Sequence, residues 1–358
     1  MMPNDIPPAC RKNLKTGTVI PAMPLALNEQ RHLDERHQRA LIRYYLDSGA
    51  GGIAAGVHTT QFEIRSPKFG LLEPVLSLVS REIDSYSKKT GNQIFKISGV
   101  CGRTPQAVKE AVLAKDLGFH AVLLSLAAMS ASTTEQLIEH CRTISGIMPL
   151  FGFYLQSSVG GRDLPYSFWR KFVEIENVAG IKIAPFNRYK TLDVVRALAD
   201  AGREKEIPLY TGNDDNILAD LLTEYLIPTK GGVKKIRMVG GLLGHWSVWT
   251  KKAVKLLSEI HSCTSSESPI PQELLSRGQQ ITDANAAFFD AANNYKGCIA
   301  GIHQVLKMQG LLRGTWCLNP DEHLSNGQLE EITRVYSDYP HLNDDEFVRE
   351  NLDRWLTE

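Results

Sequence analysis

The sequence predicts a (β/α)8 barrel, an α/β fold, followed by a small helical domain. Eight short apolar runs alternate with helix-spaced segments over roughly 240 residues, a count and length that suit a closed barrel better than an open doubly wound sheet. No Gly-x-Gly-x-x-Gly follows the first run, so the usual mark of a dinucleotide-binding sheet is missing. After the polar break Ser262–Pro269, helical patterns follow one another with no strand between them.

Taken in order, residues 1–16 are rich in Pro and Lys and read as an N-terminal extension. Thr18–Met23 is a first strand. Asp34 caps a helix through Leu41, Ile42, Tyr45 and Leu46 that stops at Gly49. Gly52–Gly56 is the second strand, with the polar loop Val57–Gln61 behind it. Leu72, Val75, Leu76, Val79 and Ile83 recur at helical spacing. Ile94–Val100 is the third strand, and Pro105 opens the helix that ends at Gly118. Ala121–Leu124 and Pro149–Tyr154 are strands four and five. Phe168, Trp169, Phe172 and Val173 mark the helix before strand six, Asn177–Pro185. Leu192, Val195 and Leu198 mark the next helix. Pro208–Gly212 is strand seven, residues 214–227 a helix, and Ile236–Gly240 strand eight. The barrel is expected over 17–262 and a helical C-terminal domain over 263–358, with helices at 271–295, 296–309, 327–337 and near the end.

Composition narrows the function classes. Forty basic residues balance 40 acidic ones, and nothing points to a nucleic-acid or membrane partner. The N-terminus lacks the charged-then-apolar pattern of a signal peptide. Six scattered cysteines without a Cys-x-x-Cys read as reduced thiols in a cytoplasm. No His/Asp/Glu set has metal-ligand spacing, so neither metal nor cofactor is expected.

Lys182 stands out. It sits mid-run in a strand that reads as buried, and a buried ammonium loses hydration, which lowers its pKa. A partly neutral lysine is a nucleophile toward carbonyl carbon; the plainer alternative is a strand-end lysine in an ion pair. Barrel chemistry lies at strand C-termini and in the loops after them. That rule selects His58, Thr59 and Thr60, then Tyr154, then Gly212, Asn213, Asp214 and Asp215. Tyr154 precedes Lys182 by 28 positions and is expected to face the same mouth as a proton shuttle. One of Asp214 and Asp215 is expected to cap the following helix. His245 and Trp246 follow strand eight, the tryptophan in a packing role. Gly240-Gly241 offers backbone amides for a phosphate, which keeps open an enzyme without an imine.

These residues together resemble the Schiff-base aldolases and lyases typified by dihydrodipicolinate synthase and N-acetylneuraminate lyase, over residues 17–320. Gly180-Ile181-Lys182 looks like the family's lysine signature, and Tyr154 like its catalytic tyrosine. Pro24-Leu25 with Leu33-Asp34 resembles the family's opening, Thr211–Asp215 its Ser-Gly-x-Asp loop, and Ile302–Pro320 its closing helix. The resemblance implies a class I lyase: Lys182 forms an imine with a 2-oxo acid, pyruvate or a sugar-derived relative, and a C–C bond is made or cut or water eliminated. It further implies a homo-oligomer, a dimer or tetramer. The family's carboxylate-binding hydroxyl loop becomes Gly56–Glu63, where Val57 and His58 or Thr59 and Thr60 fill the hydroxyl positions. Val159 replaces an arginine, and Leu126–Met129 has no counterpart of a tyrosine donated across a dimer contact. These departures point away from the lysine-biosynthetic condensation and toward a site complete within one chain. A silent oxo-acid-binding barrel is the alternative from another class.

Overall fold

The computed structural model describes residues 1–2, 5–266 and 269–357. Glu267 and Ser268 of the expected polar break, and Pro3 and Asn4 of the expected extension, lie outside the described residues.

The chain opens with α1 (Pro8–Thr16), β1 (Val19–Pro21), α2 (Glu35–Ser48), β2 (Gly52–Ala55), α3 (Leu72–Thr90), β3 (Phe95–Val100), α4 (Thr104–Asp116) and β4 (Ala121–Leu124). It continues with α5 (Thr134–Ser145), β5 (Leu150–Leu155), α6 (Tyr166–Phe172), β6 (Val178–Ala184), α7 (Arg188–Ala201), β7 (Leu209–Thr211) and α8 (Ile217–Leu222). A hairpin, β8 (Tyr225–Thr229) and β9 (Gly232–Ile236), precedes β10 (Met238–Leu243). The last helices are α9 (Thr250–Ser265), α10 (Gln272–Phe288), α11 (Cys298–Met308), α12 (Gln328–Asp338) and α13 (Asp345–Leu356). Eight strands form one sheet in the order β1-β10-β7-β6-β5-β4-β3-β2, alternating with helices as a (β/α)8 barrel, with further helices at the C-terminus.

Contacts divide the chain into two compact units: Met1–Thr18 with Phe95–Leu242, and Val19–Ile94 with Leu243–Glu358. This differs from the linear division at residue 262, and α9 runs through that position to Ser265.

In the first unit β3, β4, β5, β6, β7 and β10 pair in parallel, each with its neighbour in that order. Both β5 and β6 are buried almost throughout, which is why they read as continuous apolar runs. The expected extension is instead a helix: Pro8 sets its first turn and Gly17 ends it at φ 97°. Leu14 of α1 accepts a hydrogen bond from the Tyr210 hydroxyl at 2.8 Å, so the segment belongs to the packed unit. The helix expected over 214–227 stops at Leu222, and the hairpin β8–β9 follows. The β-prone Tyr225, Leu226 and Ile227 lead into the turn Lys230-Gly231, and antiparallel pairing overrides helical continuation.

In the second unit β1 and β2 run side by side, with a parallel bridge between Ala22 and Ala54. Asp34 caps α2 through the His37 amide, as expected. The C-terminal helices gather around Asp344, which accepts from the Tyr44 hydroxyl at 2.8 Å, Gln309 Nε2 at 2.8 Å and the Lys251 amide at 2.9 Å. A buried carboxylate with three donors is satisfied and fixes these segments relative to one another.

Glycines open the inner face of the first unit. A Cβ on Gly240 would lie 2.5 Å from the Thr18 carbonyl oxygen and 2.8 Å from the Tyr210 ring. Gly240→Ala is therefore expected to cost about 1–3 kcal/mol by overpacking, while Gly231→Ala, whose Cβ would meet nothing closer than 3.9 Å, is neutral. Paired denaturant melts check this; equal midpoints would contradict it.

Candidate active site

Lys182 lies on β6 between Ile181 and Ile183, and strand alternation sends it to the opposite face from both. It shares its face with Phe151, Phe153 and Tyr210. Phe153 and Tyr210 stand opposite Lys182 in the two neighbouring strands, and the Phe151 and Tyr210 rings meet edge-on at 5.5 Å. Lys182 is 8% exposed. Among the described residues no carboxylate comes within ion-pair distance of its ammonium. Nζ instead sits 4.7 Å from the centroid of the Phe153 ring. Burial pulls the lysine down from its ordinary 10.5 to about 8, with the negative charge of Asp214 opposing the shift. An appreciable part of the amine is neutral just above pH 7, the form that attacks a carbonyl.

Gly212 follows β7, where its missing side chain makes room for the lysine stem: a Cβ there would lie 2.6 Å from Lys182 Cε. The bare backbone of Gly212 is what leaves that stem its space.

Tyr154 departs from expectation. The residue of β5 opposite Lys182 is Phe153, and Tyr154 stands opposite Ile183. A register shift between Leu150 and Phe151 sets this pairing. Alternation then turns Tyr154 to the α6 side, where its ring packs on Trp169 at 5.4 Å. Its hydroxyl accepts from the Leu164 amide at 3.2 Å. Burial raises its pKa, and the charges it senses are Lys190, Asp163 and Asp193. The expected shared mouth for Tyr154 and Lys182 is corrected by this register.

The loop after β7 is braced by Asp220, a buried acid on α8 that the sequence reading missed. It accepts from Thr211 Oγ1 at 2.7 Å, Asn213 Nδ2 at 2.8 Å and Asn216 Nδ2 at 2.9 Å, with Arg188 Nη1 at 3.4 Å. Asn213 in turn accepts from the Phe186 amide at 3.0 Å, which ties the loop after β6 to the loop after β7. An acid among Leu218, Leu221 and Leu222 was the available signal, because an acid in an apolar helix needs partners. The residue at the N-cap of α8 is Asn216, not an aspartate, and it makes no side-chain cap. Asp214 is 9% exposed, and Asp215 faces Arg188 at 3.5 Å. The Cβ side of Gly240 is filled by the Thr18 backbone and the Tyr210 ring.

The loop His58–Thr60 belongs to the second unit. Thr59 Oγ1 donates to the Ala22 carbonyl at 2.6 Å and Thr60 Oγ1 to the Met23 carbonyl at 2.6 Å. A hydroxyl has one proton to give, so neither donates to a substrate carboxylate in this arrangement, contrary to expectation. His58 is half-buried against Phe62. His245 stacks on Phe288, and burial pulls its pKa down to about 4. Trp246 is buried, in the packing role expected. Among the described residues no group of three His, Cys, Asp or Glu side chains is placed to hold a metal ion. No described helix is long and apolar enough to cross a membrane. A cavity of about 570 Å³ lies under α1 beside Val178 and Pro208, at the strand starts, where barrels do not hold their chemistry.

Fold and site define a (β/α)8 barrel with a desolvated amine inside its sixth strand. The model of the dihydrodipicolinate synthetase family matches residues 15–224, and the chain belongs to that family. Membership implies class I, pyruvate-dependent aldolase-type activity. Similar solved structures include dihydrodipicolinate synthase from Aquifex aeolicus (17% identity, TM-score 0.71, covering 90% of this chain and 98% of that one). N-acetylneuraminate lyase from Fusobacterium nucleatum is 16% identical, with TM-score 0.70 and coverage of 91% and 99%. A chloride-inhibited dihydrodipicolinate synthase from Acinetobacter baumannii, complexed with pyruvate, is 19% identical, with TM-score 0.69 and coverage of 91% and 99%. At these identities the likeness is one of fold. A search of curated proteins finds no match.

The lysine has a stability signature. Below pH 8 the folded chain holds a buried charge that the unfolded chain hydrates freely. A shift from 10.5 to about 8 makes that cost about 3 kcal/mol, and it fades as pH rises from about 8 toward 10.5. Lys182→Met is expected to stabilise the fold at pH 7 and to gain progressively less up to pH 10. Denaturant melts across that range check it; a pH-independent difference would contradict it.

Proposed function

We propose that this chain is a class I lyase of the aldolase type, acting on a 2-oxo acid, pyruvate or a sugar-derived relative. The observation that carries the reading is the buried amine of Lys182, pulled down to about 8 by desolvation against the opposing charge of Asp214. The neutral amine adds to the ketone carbon, and the carbonyl oxygen takes the amine proton. The carbinolamine then takes up one more proton and loses water, which leaves a protonated imine. That cation draws electrons from the C3 bond: a C3 proton passes to solvent, or a C4 hydroxyl gives up its proton as the C3–C4 bond breaks to release an aldehyde, leaving the enamine in either case, and the reverse sequence makes the bond. The pyruvate bound to the Acinetobacter baumannii relative supports the substrate class.

A second reading, a silent oxo-acid-binding barrel, is favoured by one set of observations. The Tyr154 hydroxyl and both threonine hydroxyls are engaged with backbone groups.

Exchange of pyruvate C3 hydrogens with deuterium oxide, followed by NMR, separates the two without knowledge of any aldehyde partner. Wild-type protein is expected to catalyse exchange, with a rate rising through a midpoint near about 8 as the amine deprotonates. Lys182→Arg is expected to abolish it. Pyruvate binding without exchange would establish the silent barrel instead. Tyr154→Phe is expected to keep exchange within about tenfold, whereas a general acid–base would lose about 10²–10⁴-fold. A loss of that larger size would restore Tyr154 to the chemistry.

A further inference from the structure

The neighbour of the lysine on β5 is a hydrocarbon ring in place of the hydroxyl that the 28-residue spacing predicts. Phe153 faces Lys182 across the β5–β6 pair, with Nζ 4.7 Å from the ring centroid. The contact is held from several sides. Phe153 is 7% exposed, Phe151 fills the space above Gly180, and Gly212 admits the lysine stem on the other flank. A cation over an aromatic face is attracted by the ring quadrupole, and more strongly when both are desolvated. The nitrogen that carries the ammonium charge is the one that carries the iminium charge once a ketone has condensed, so the ring meets the same charge in both states.

We propose that Phe153 is a catalytic residue whose ring face stabilises the positive charge of the Lys182 imine. The proposal rests on the imine reading above. It assigns to an aromatic ring, with no proton to give, the place next to the amine where an acid–base hydroxyl was expected. Condensation stays balanced without that hydroxyl: the amine and the ketone plus one proton from solvent give the iminium and one water. The ring's contribution is to hold the cation, not to move a proton. The sequence offered no direct sign of this, because Phe153 and Tyr154 are adjacent and only the strand register chooses between them.

The test compares wild-type protein, Phe153→Leu and a protein carrying a trifluorinated phenylalanine at position 153. The fluorinated ring keeps the shape and withdraws the negative face, so it answers the question even if Phe153→Leu does not fold. Two readouts are taken: the pH midpoint for acylation of Lys182, with no substrate present, and the pyruvate concentration that half-saturates reductive trapping. Both variants are expected to lower the midpoint by about 0.5–1 pH unit and, with trapping run above the wild-type midpoint where the free amine is neutral and only the imine is charged, to raise the half-saturating concentration about 3–10-fold. A folded variant in which neither quantity moves overturns the role of Phe153 and leaves the imine reading intact. Absence of any trapped pyruvate on wild-type protein overturns both.

Discussion

A buried ammonium whose desolvation outweighs the attraction of Asp214 is the constraint on which the rest of the site depends. Removing it from water is unfavourable by several kcal/mol in principle, and the fold bears part of that cost rather than cancelling it with an ion pair. The charge of Asp214 acts on it, and the Phe153 ring lies against it. The result is an amine that ionises at about 8 instead of 10.5. A tight ion pair would have kept Lys182 fully charged and unreactive.

Everything around the lysine follows from keeping it there. Flanking isoleucines fix the face on which it stands. Gly212 clears its stem, Gly180 receives the Phe151 ring, and Gly240 admits the Thr18 backbone. Asp220 then locks the loop after β7 through Thr211 and Asn213, and Asn213 reaches Phe186 in the loop after β6. Three small residues and one buried acid thus shape the surroundings of the Lys182 amine.

Much of this was legible in the sequence. Alternating runs and their number predicted the barrel, and the apolar setting of Lys182 predicted its burial. What the sequence could not show depends on register and on hydrogen bonds formed only in the fold. A slip of one residue between β5 and β6 exchanges Phe153 for Tyr154 at the lysine. The threonines at 59 and 60 look like free donors in a polar loop, yet both protons go to carbonyls at the end of β1. The hairpin β8–β9 was hidden because Leu221, Leu222, Tyr225 and Leu226 also suit a helical spacing. The family model's match ends at residue 224, just where that hairpin begins.

The most direct measurement is peptide mapping by mass spectrometry after borohydride reduction in the presence of pyruvate. A single reduced adduct on the peptide carrying Lys182 is the expected result. An unmodified Lys182 under conditions where pyruvate binds, or an adduct only on exposed lysines, would contradict the assignment of this residue as the nucleophile.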